Sequence, residues 1–232
     1  MNKPLRESNE LPHDLDDHFD SLEPQDAHSL FVLNYPWWKK LVDMLGSGLG
    51  LLFASPILLT VMLIMKITDP GPIFFVQPRT GSGGRAFNMF KLRSMVVDAE
   101  ARKKELMKHN ERTGPAFKMT SDPRITPIGS FIRKWSIDEI PQLINVWKGD
   151  MSLVGPRPLP VSEDEEMDQW HMMRRNVKPG LTCYWQIADR DKLSFDEWVR
   201  LDIKYIRGIS FWTDIKIILM TIPAVLTNRG AK

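Results

Sequence analysis

Between Met44 and Met65 the chain runs MLGSGLGLLFASPILLTVMLIM without a single charge. About 20 apolar residues suffice to cross a bilayer, so this run narrows the fold more than any other stretch. Three details oppose a simple span. Pro56 stands mid-run, where it removes a helical hydrogen bond and bends the helix. Ser55 beside it can re-satisfy the carbonyl so freed. Lys39 and Lys40 precede the run and Lys66 follows it, so the charge bias favours moving neither end across. A helix that enters, bends at Ser55-Pro56 and returns to the same face accounts for all three. A plain span and a buried helix of a water-soluble core are the alternatives. Trp37, Trp38 and Trp212 each border an apolar stretch, as aromatic residues at a membrane interface do.

The rest reads as one α/β domain, residues 31–232, behind an acidic tail, with the re-entrant helix at about 41–66. Residues 1–30 carry Glu7, Glu10, Asp14, Asp16, Asp17, Asp20, Glu23 and Asp26 among few large apolar groups. That composition predicts a solvated tail rather than a secretory signal. The net charge of +2 demands no nucleic-acid partner. A lone cysteine, Cys183, excludes an internal disulfide and suits a cytoplasm-facing location. The scattered histidines form no zinc pattern with it.

Beyond the turn Asp69-Pro70-Gly71-Pro72, IFFVQPRT and RAFNMFKLRSM flank GSGG and predict a hairpin. The glycines lack GxGxxG and a Walker lysine-serine pair, so they read as a bare turn. Helices are expected over 96–111, about 139–148, 162–173 (acidic) and 194–206. MSLV from Met151 reads as a short strand, followed by a rigid Gly155-Pro156-Arg157-Pro158 turn. Phe211 to Leu226 is apolar but broken by Asp214, Lys216 and Pro223, which suits a segment lying in the membrane interface.

The adjacent acids Asp138-Glu139 in RKWSIDEIPQL admit two readings. One is structural: Ser136-x-x-Glu139 matches a capping box, or Asp138 caps a helix whose first turn holds Pro141. The other is chemical. A carboxylate at a helix start stays ionised and can attack phosphorus, while its neighbour helps hold Mg²⁺. Arg79, Lys91, Arg93, Arg133 and Arg157 supply cations for phosphate binding. Prolines on both sides of Arg157 aim it, which a merely solvated arginine would not need.

Several motifs in order resemble the monotopic phosphoglycosyl transferases, bacterial enzymes that start capsule and exopolysaccharide assembly. They are Ser55-Pro56, Gly71-Pro72-Ile73-Phe74-Phe75 with Gln77 and Arg79, Phe90-Lys91-Leu92-Arg93-Ser94-Met95, and Asp122-Pro123-Arg124-Ile125-Thr126. Ser136-Ile137-Asp138-Glu139-Ile140-Pro141-Gln142, Met151 through Pro158, and Lys178-Pro179-Gly180-Leu181-Thr182 complete the set. The resemblance implies a re-entrant helix, interfacial amphipathic helices and a small catalytic domain on the cytoplasmic face of the inner membrane. It also implies transfer of a sugar phosphate from a UDP-sugar to polyprenyl (undecaprenyl) phosphate, with Asp138 as nucleophile, UMP released, and Mg²⁺ held by Asp138 and Glu139. Lys91, Arg133, Arg157 and Arg79 become phosphate- or nucleotide-binding residues; phospholipid, a homodimer mate and downstream glycosyltransferases become partners. Cys183-Tyr184-Trp185-Gln186 departs from the family's usual Gly-Trp there.

Overall fold

The computed structural model describes residues 35–111, 119, 121–187 and 193–226, so the acidic tail lies outside the described residues. α1 is one helix, Trp37–Thr68, of 32 residues with Pro56 inside. At 1.5 Å per residue it is about 48 Å long. Ser55 Oγ donates to the Leu52 carbonyl at 2.8 Å, the acceptor that Pro56 cannot serve. The expected repair of the break is therefore in place. Leu49, Leu52, Phe53, Ile57, Leu59 and Leu63 are exposed along the helix. Among the described residues α1 is the one helix long and apolar enough to cross a membrane.

Both ends of α1 are attached to the domain. Near its start, Asp43 Oδ1 accepts from the Leu153 N–H at 2.8 Å and the Ser152 hydroxyl at 3.0 Å. Lys39 Nζ donates to the Val154 carbonyl at 3.0 Å and pairs with Asp214 at 2.5 Å. Lys39 is thus no flanking charge, as the sequence suggested, because Asp214 neutralises it; Lys40 and Lys66 stay exposed. Near the end of α1, Val61 and Met65 form a buried cluster with Leu92 and Ile132.

The expected hairpin forms: β1 (Phe74–Thr80) pairs antiparallel with β2 (Ala86–Leu92), placing Phe75 opposite Lys91. α2 (Ala99–Leu106) follows, then α3 (Pro127–Lys134), which Thr126 caps by accepting from the Gly129 N–H at 3.0 Å. After a 3₁₀ turn comes α4 (Gln142–Lys148), lying along α1 where Gly48 admits Trp147 and Gly50 admits Leu143. β3 (Ser152–Val154) pairs in parallel with β4 (Gly180–Thr182), a strand that periodicity missed. The predicted acidic helix is two pieces, α5 (Val161–Asp164) and a 3₁₀ helix Gln169–Asn176. Asp168 turns extended there and forms a reciprocal cap with His171, which starts the second piece afresh. α6 (Tyr184–Ile187), α7 (Phe195–Arg207) and α8 (Phe211–Leu226) complete the chain. Ser194 and Glu197 form a capping box on α7.

The largest core cluster joins Trp198, Ile203 and Tyr205 of α7 to Val154 of β3, Cys183 and Ile217 of α8. Burying each such side chain contributes about 1.5–3 kcal/mol. Trp37 and Trp212 remain 79% and 76% exposed, whereas Trp38 packs edge-on against Phe211. The architecture is a mixed helix-and-strand domain bearing one long apolar helix.

Candidate active site

Asp138 and Glu139 stand in the 3₁₀ turn Ile137–Glu139, not at the start of α4. Neither sequence-based cap is made: no side-chain cap bond forms on Ser136, and Pro141 heads α4 instead of Asp138. The cause is local. Ser136 adopts a left-handed conformation, φ 53°, which ends the preceding helical path. Ile137 then inserts beside the Met65, Leu92 and Ile132 cluster, so the turn is pinned by burial.

Glu139 is clamped. Its Oε1 accepts from Lys91 Nζ at 3.1 Å and Arg157 Nη2 at 2.5 Å, and its Oε2 from Arg157 Nη1 at 3.3 Å. Lys91 comes from β2 and Arg157 from the turn after β3, so three separate segments meet at one carboxylate. Asn145 of α4 fixes β2 in place: it accepts from the Phe90 N–H at 3.0 Å and donates to the Asn88 carbonyl at 2.7 Å. The Arg157 turn is fixed by Gly155, whose N–H donates to the Thr182 carbonyl at 2.9 Å. A Cβ on Gly180 would stand 2.0 Å from the Gly155 nitrogen, so this approach needs glycine.

Asp138 is buried beside the clamp, 8% exposed, and accepts no hydrogen bond from a described residue. Burial lifts its pKa to about 6; Lys91 opposes that rise, Glu139 adds to it, and Arg133 and Arg157 oppose it. This corrects the expectation of a helix start holding Asp138 low. Burial also pushes Glu139 upward, but Arg157 and Lys91 outweigh it and hold the carboxyl well below its usual value. Glu139 is therefore ionised and engaged, while Asp138 is the open carboxylate.

The other predicted residues divide. Arg133 lies in the last turn of α3, half-buried, and acts on Asp138 through space. Arg79 donates to the Pro158 carbonyl at 3.1 Å and to Gln77 at 2.6 Å, so it braces the Arg157 turn. Arg93 pairs with Asp69 at 3.1 Å instead of joining the acids. Ser55 and Pro56 sit mid-helix in α1, and no bond links them to this cluster. Among the described residues no group of three or more His, Cys, Asp or Glu could hold a metal. Sequence reasoning missed Asn145 and Arg174. Asn145 is a fully buried amide among apolar neighbours on α4, which was the available signal. Arg174, one residue past the expected 162–173 helix, donates to the Arg157 carbonyl at 2.7 Å.

The sequence profile described as "Bacterial sugar transferase" matches residues 34–228. The chain belongs to this family. Several named proteins resemble it. It is 50% identical over 196 residues to the galactosyl transferase CpsE of Streptococcus agalactiae, covering 84% of this chain and 43% of that protein. It is 36% identical over 197 residues to the exopolysaccharide production protein ExoY of Rhizobium meliloti, covering 83% of this chain and 87% of the other. Identity to the undecaprenyl-phosphate galactose phosphotransferase of Salmonella typhimurium is 40% over 202 residues, 83% of this chain and 41% of the relative. The chain thus spans under half of CpsE but most of ExoY. The matched region of this bacterial sugar transferase contains every residue of the clamp.

Proposed function

We propose that the protein transfers a sugar phosphate from a UDP-sugar to a polyprenyl phosphate at the cytoplasmic face of a bacterial inner membrane, using Asp138 as a covalent nucleophile. The observation that carries this is the division of labour between two adjacent acids: Glu139 is held by Lys91 and Arg157, and Asp138 is left open beside them. The names of the galactose phosphotransferase relative and of ExoY support both the reaction and the exopolysaccharide setting.

An Asp138 carboxylate oxygen attacks the sugar-linked phosphorus. The bond from that phosphorus to the bridging oxygen breaks, and UMP leaves with the electron pair. A polyprenyl phosphate oxygen then attacks the same phosphorus, releasing the Asp138 carboxylate and forming the lipid diphosphate sugar. Lys91 and Arg157, already aimed by Glu139, flank the developing negative charge. Mg²⁺ fits the donor set: it is commonly bound by one or two carboxylates plus substrate phosphates, and Asp138 offers open oxygens with Glu139 adjoining. Bound there, it would supply charge neutralisation at the diphosphate.

The two attached ends of α1 support the re-entrant arrangement. Both Asp43 and Met65 pack on one small domain, which favours an entry and an exit of the helix on one side. Exposed Trp37 and Trp212 suit an interface at that level.

The test mixes membrane-embedded protein with UDP-sugars, with and without polyprenyl phosphate. Expected are UMP release in both cases, stoichiometric without acceptor, and an intact-mass adduct mapping to Asp138. UMP release by Asp138→Asn, or free sugar phosphate without lipid product, overturns the reading.

A further inference from the structure

Pro156 and Pro158 have no N–H to donate, so the turn that carries Arg157 is fixed through its carbonyls. Four in succession are engaged. The Pro156 carbonyl accepts from the Gly180 N–H at 2.8 Å, that of Arg157 from Arg174 Nη2 at 2.7 Å, that of Pro158 from Arg79 Nη1 at 3.1 Å, and that of Leu159 from the Thr80 N–H at 3.0 Å. Arg174 is itself held from α7. Its Nη2 also donates to Asp202 at 2.8 Å, and its guanidinium lies over the Trp198 ring, 5.1 Å from the centroid. Asp202 and Trp198 are buried and stand one turn apart on α7. Burial lifts the Asp202 carboxyl to about 6 and Arg174 opposes the rise, so the pair is charged at neutral pH. Apolar residues of similar size often give a core as stable as a buried ion pair does. What they would lack here is a donor for the Arg157 carbonyl.

We propose that Arg174, held by Asp202 and Trp198, is a positioning residue for the transfer reaction: by fixing the Arg157 carbonyl it sets the backbone from which the Arg157 fork reaches both Glu139 oxygens. Its kinetic consequence rests on the sugar-phosphate transfer reading; its geometry does not. The Arg157 carbonyl and side chain leave from the same Cα. Freeing the carbonyl lets the peptide between Arg157 and Pro158 turn, and that rotation swings the direction of the Arg157 side chain. The guanidinium lies several bonds further out, so a small rotation moves it far. A two-pronged grip on one carboxylate depends on its geometry, and the grip is lost first. Arg157 then no longer stands where charge develops on the transferred phosphate.

Arg174→Met alone would leave Asp202 buried without its cation, which tests folding rather than positioning. The informative variant is Arg174→Met with Asp202→Leu, which removes both charges and should keep Tm within roughly 4 °C of the native protein. With the UDP-sugar that the native enzyme turns over, its kcat should fall about tenfold or more while KM changes less than about threefold, the split left by a lost transition-state interaction. In an Arg157→Lys background, which already lacks the fork, the same two changes should cost about threefold or less, whereas independent effects would multiply. A crystal structure of the double variant should show Arg157 displaced from Glu139. Where the double variant does not fold, Arg174→Lys carries the same readouts, because it keeps a cation for Asp202 but loses the planar group that serves both acceptors. Native kcat in a folded variant, the full loss repeated on Arg157→Lys, or an intact fork in the crystal overturns the inference and leaves the transfer reading standing. A native protein that turns over no UDP-sugar sinks the transfer reading, while the crystal structure still decides whether Arg174 holds the fork.

Discussion

Asp138 and Glu139 are sequence neighbours with opposite electrostatic surroundings, and the difference fixes their pH behaviour. The Asp138 value of about 6 lies above the 3.8 of an ordinary aspartate. Between those values the folded state binds more protons than the unfolded one, so this group's stabilising contribution is lost as pH rises toward 6. Nucleophilicity runs the other way, because only the carboxylate attacks. Adduct formation should therefore fall about tenfold per pH unit well below 6, read as a single-turnover rate against pH. A flat profile down to pH 5 refutes the raised pKa and leaves the nucleophile to the adduct map. Asp138→Asn should abolish the adduct while raising Tm by a few degrees, since about 1 kcal/mol shifts a domain of this size by roughly 2–4 °C. A lowered Tm would instead give the carboxylate a structural role. At Arg157, Lys keeps the charge but loses the fork that grips both Glu139 oxygens. Arg157→Lys should cut kcat/KM by about tenfold or more, and full activity would assign the guanidinium to support alone. The proline-flanked arginine and the paired acids were legible as candidates, and the structure brings Arg157 onto Glu139. Which acid would be clamped was not, because Lys91 lies on a strand brought in by long-range packing.

Elements with strong local signals were readable, and elements made by distant contacts were not. The β1–β2 hairpin, α7 with its Ser194–Glu197 capping box, and α8 all follow from local pattern. MSLV reads as a strand and is β3, but its parallel partner β4 is only three residues, too short for alternation to register. Its signal was the glycine pair, and its function is to hold Arg157. Gly180→Ala should force the strands apart at the 2.0 Å contact with Gly155. Overpacking of this kind costs about 1–3 kcal/mol, and both Tm and activity should fall together; an unchanged Tm would deny the strand pair its positioning role. The Lys39–Asp214 pair was equally hidden, because its partners are far apart in sequence. Its side chains are 3% and 2% exposed. Removing one member of such a pair costs about 3–5 kcal/mol, so Lys39→Met should lower stability sharply, and Lys39→Met with Asp214→Leu should recover part of the loss. Failure of the double variant to recover would make Tyr205, which also donates to Asp214, the dominant partner.

At the scale of the molecule, the question is how a small domain reaches both a soluble nucleotide sugar and a lipid. A straight α1 of about 48 Å would exceed the roughly 30 Å hydrocarbon core and carry one end away from the domain into the opposite leaflet. Yet Asp43 binds β3 and Met65 packs against β2 and α3, so both ends belong to one body. That body carries charged groups at its centre, Lys91, Glu139 and Arg157 among them, which oppose its immersion in hydrocarbon. In the proposed re-entrant arrangement the middle of α1, with Phe53 75% exposed, is the part that enters lipid, and Ser55-Pro56 is where its hydrogen-bond ladder is interrupted. Cysteines placed at Lys40 and Lys66, both exposed, should be labelled from the same side of sealed inverted vesicles by a membrane-impermeant reagent. Buried Cys183 keeps the background low. Labelling from opposite sides would sink the re-entrant arrangement whatever the fate of the chemistry. Pro56→Ala restores the missing N–H and favours a straight helix, so it sets the bilayer's preference for a span against the Asp43 and Met65 attachments. Same-side labelling retained in Pro56→Ala would assign the topology to those attachments. A switch to opposite sides would assign it to the proline.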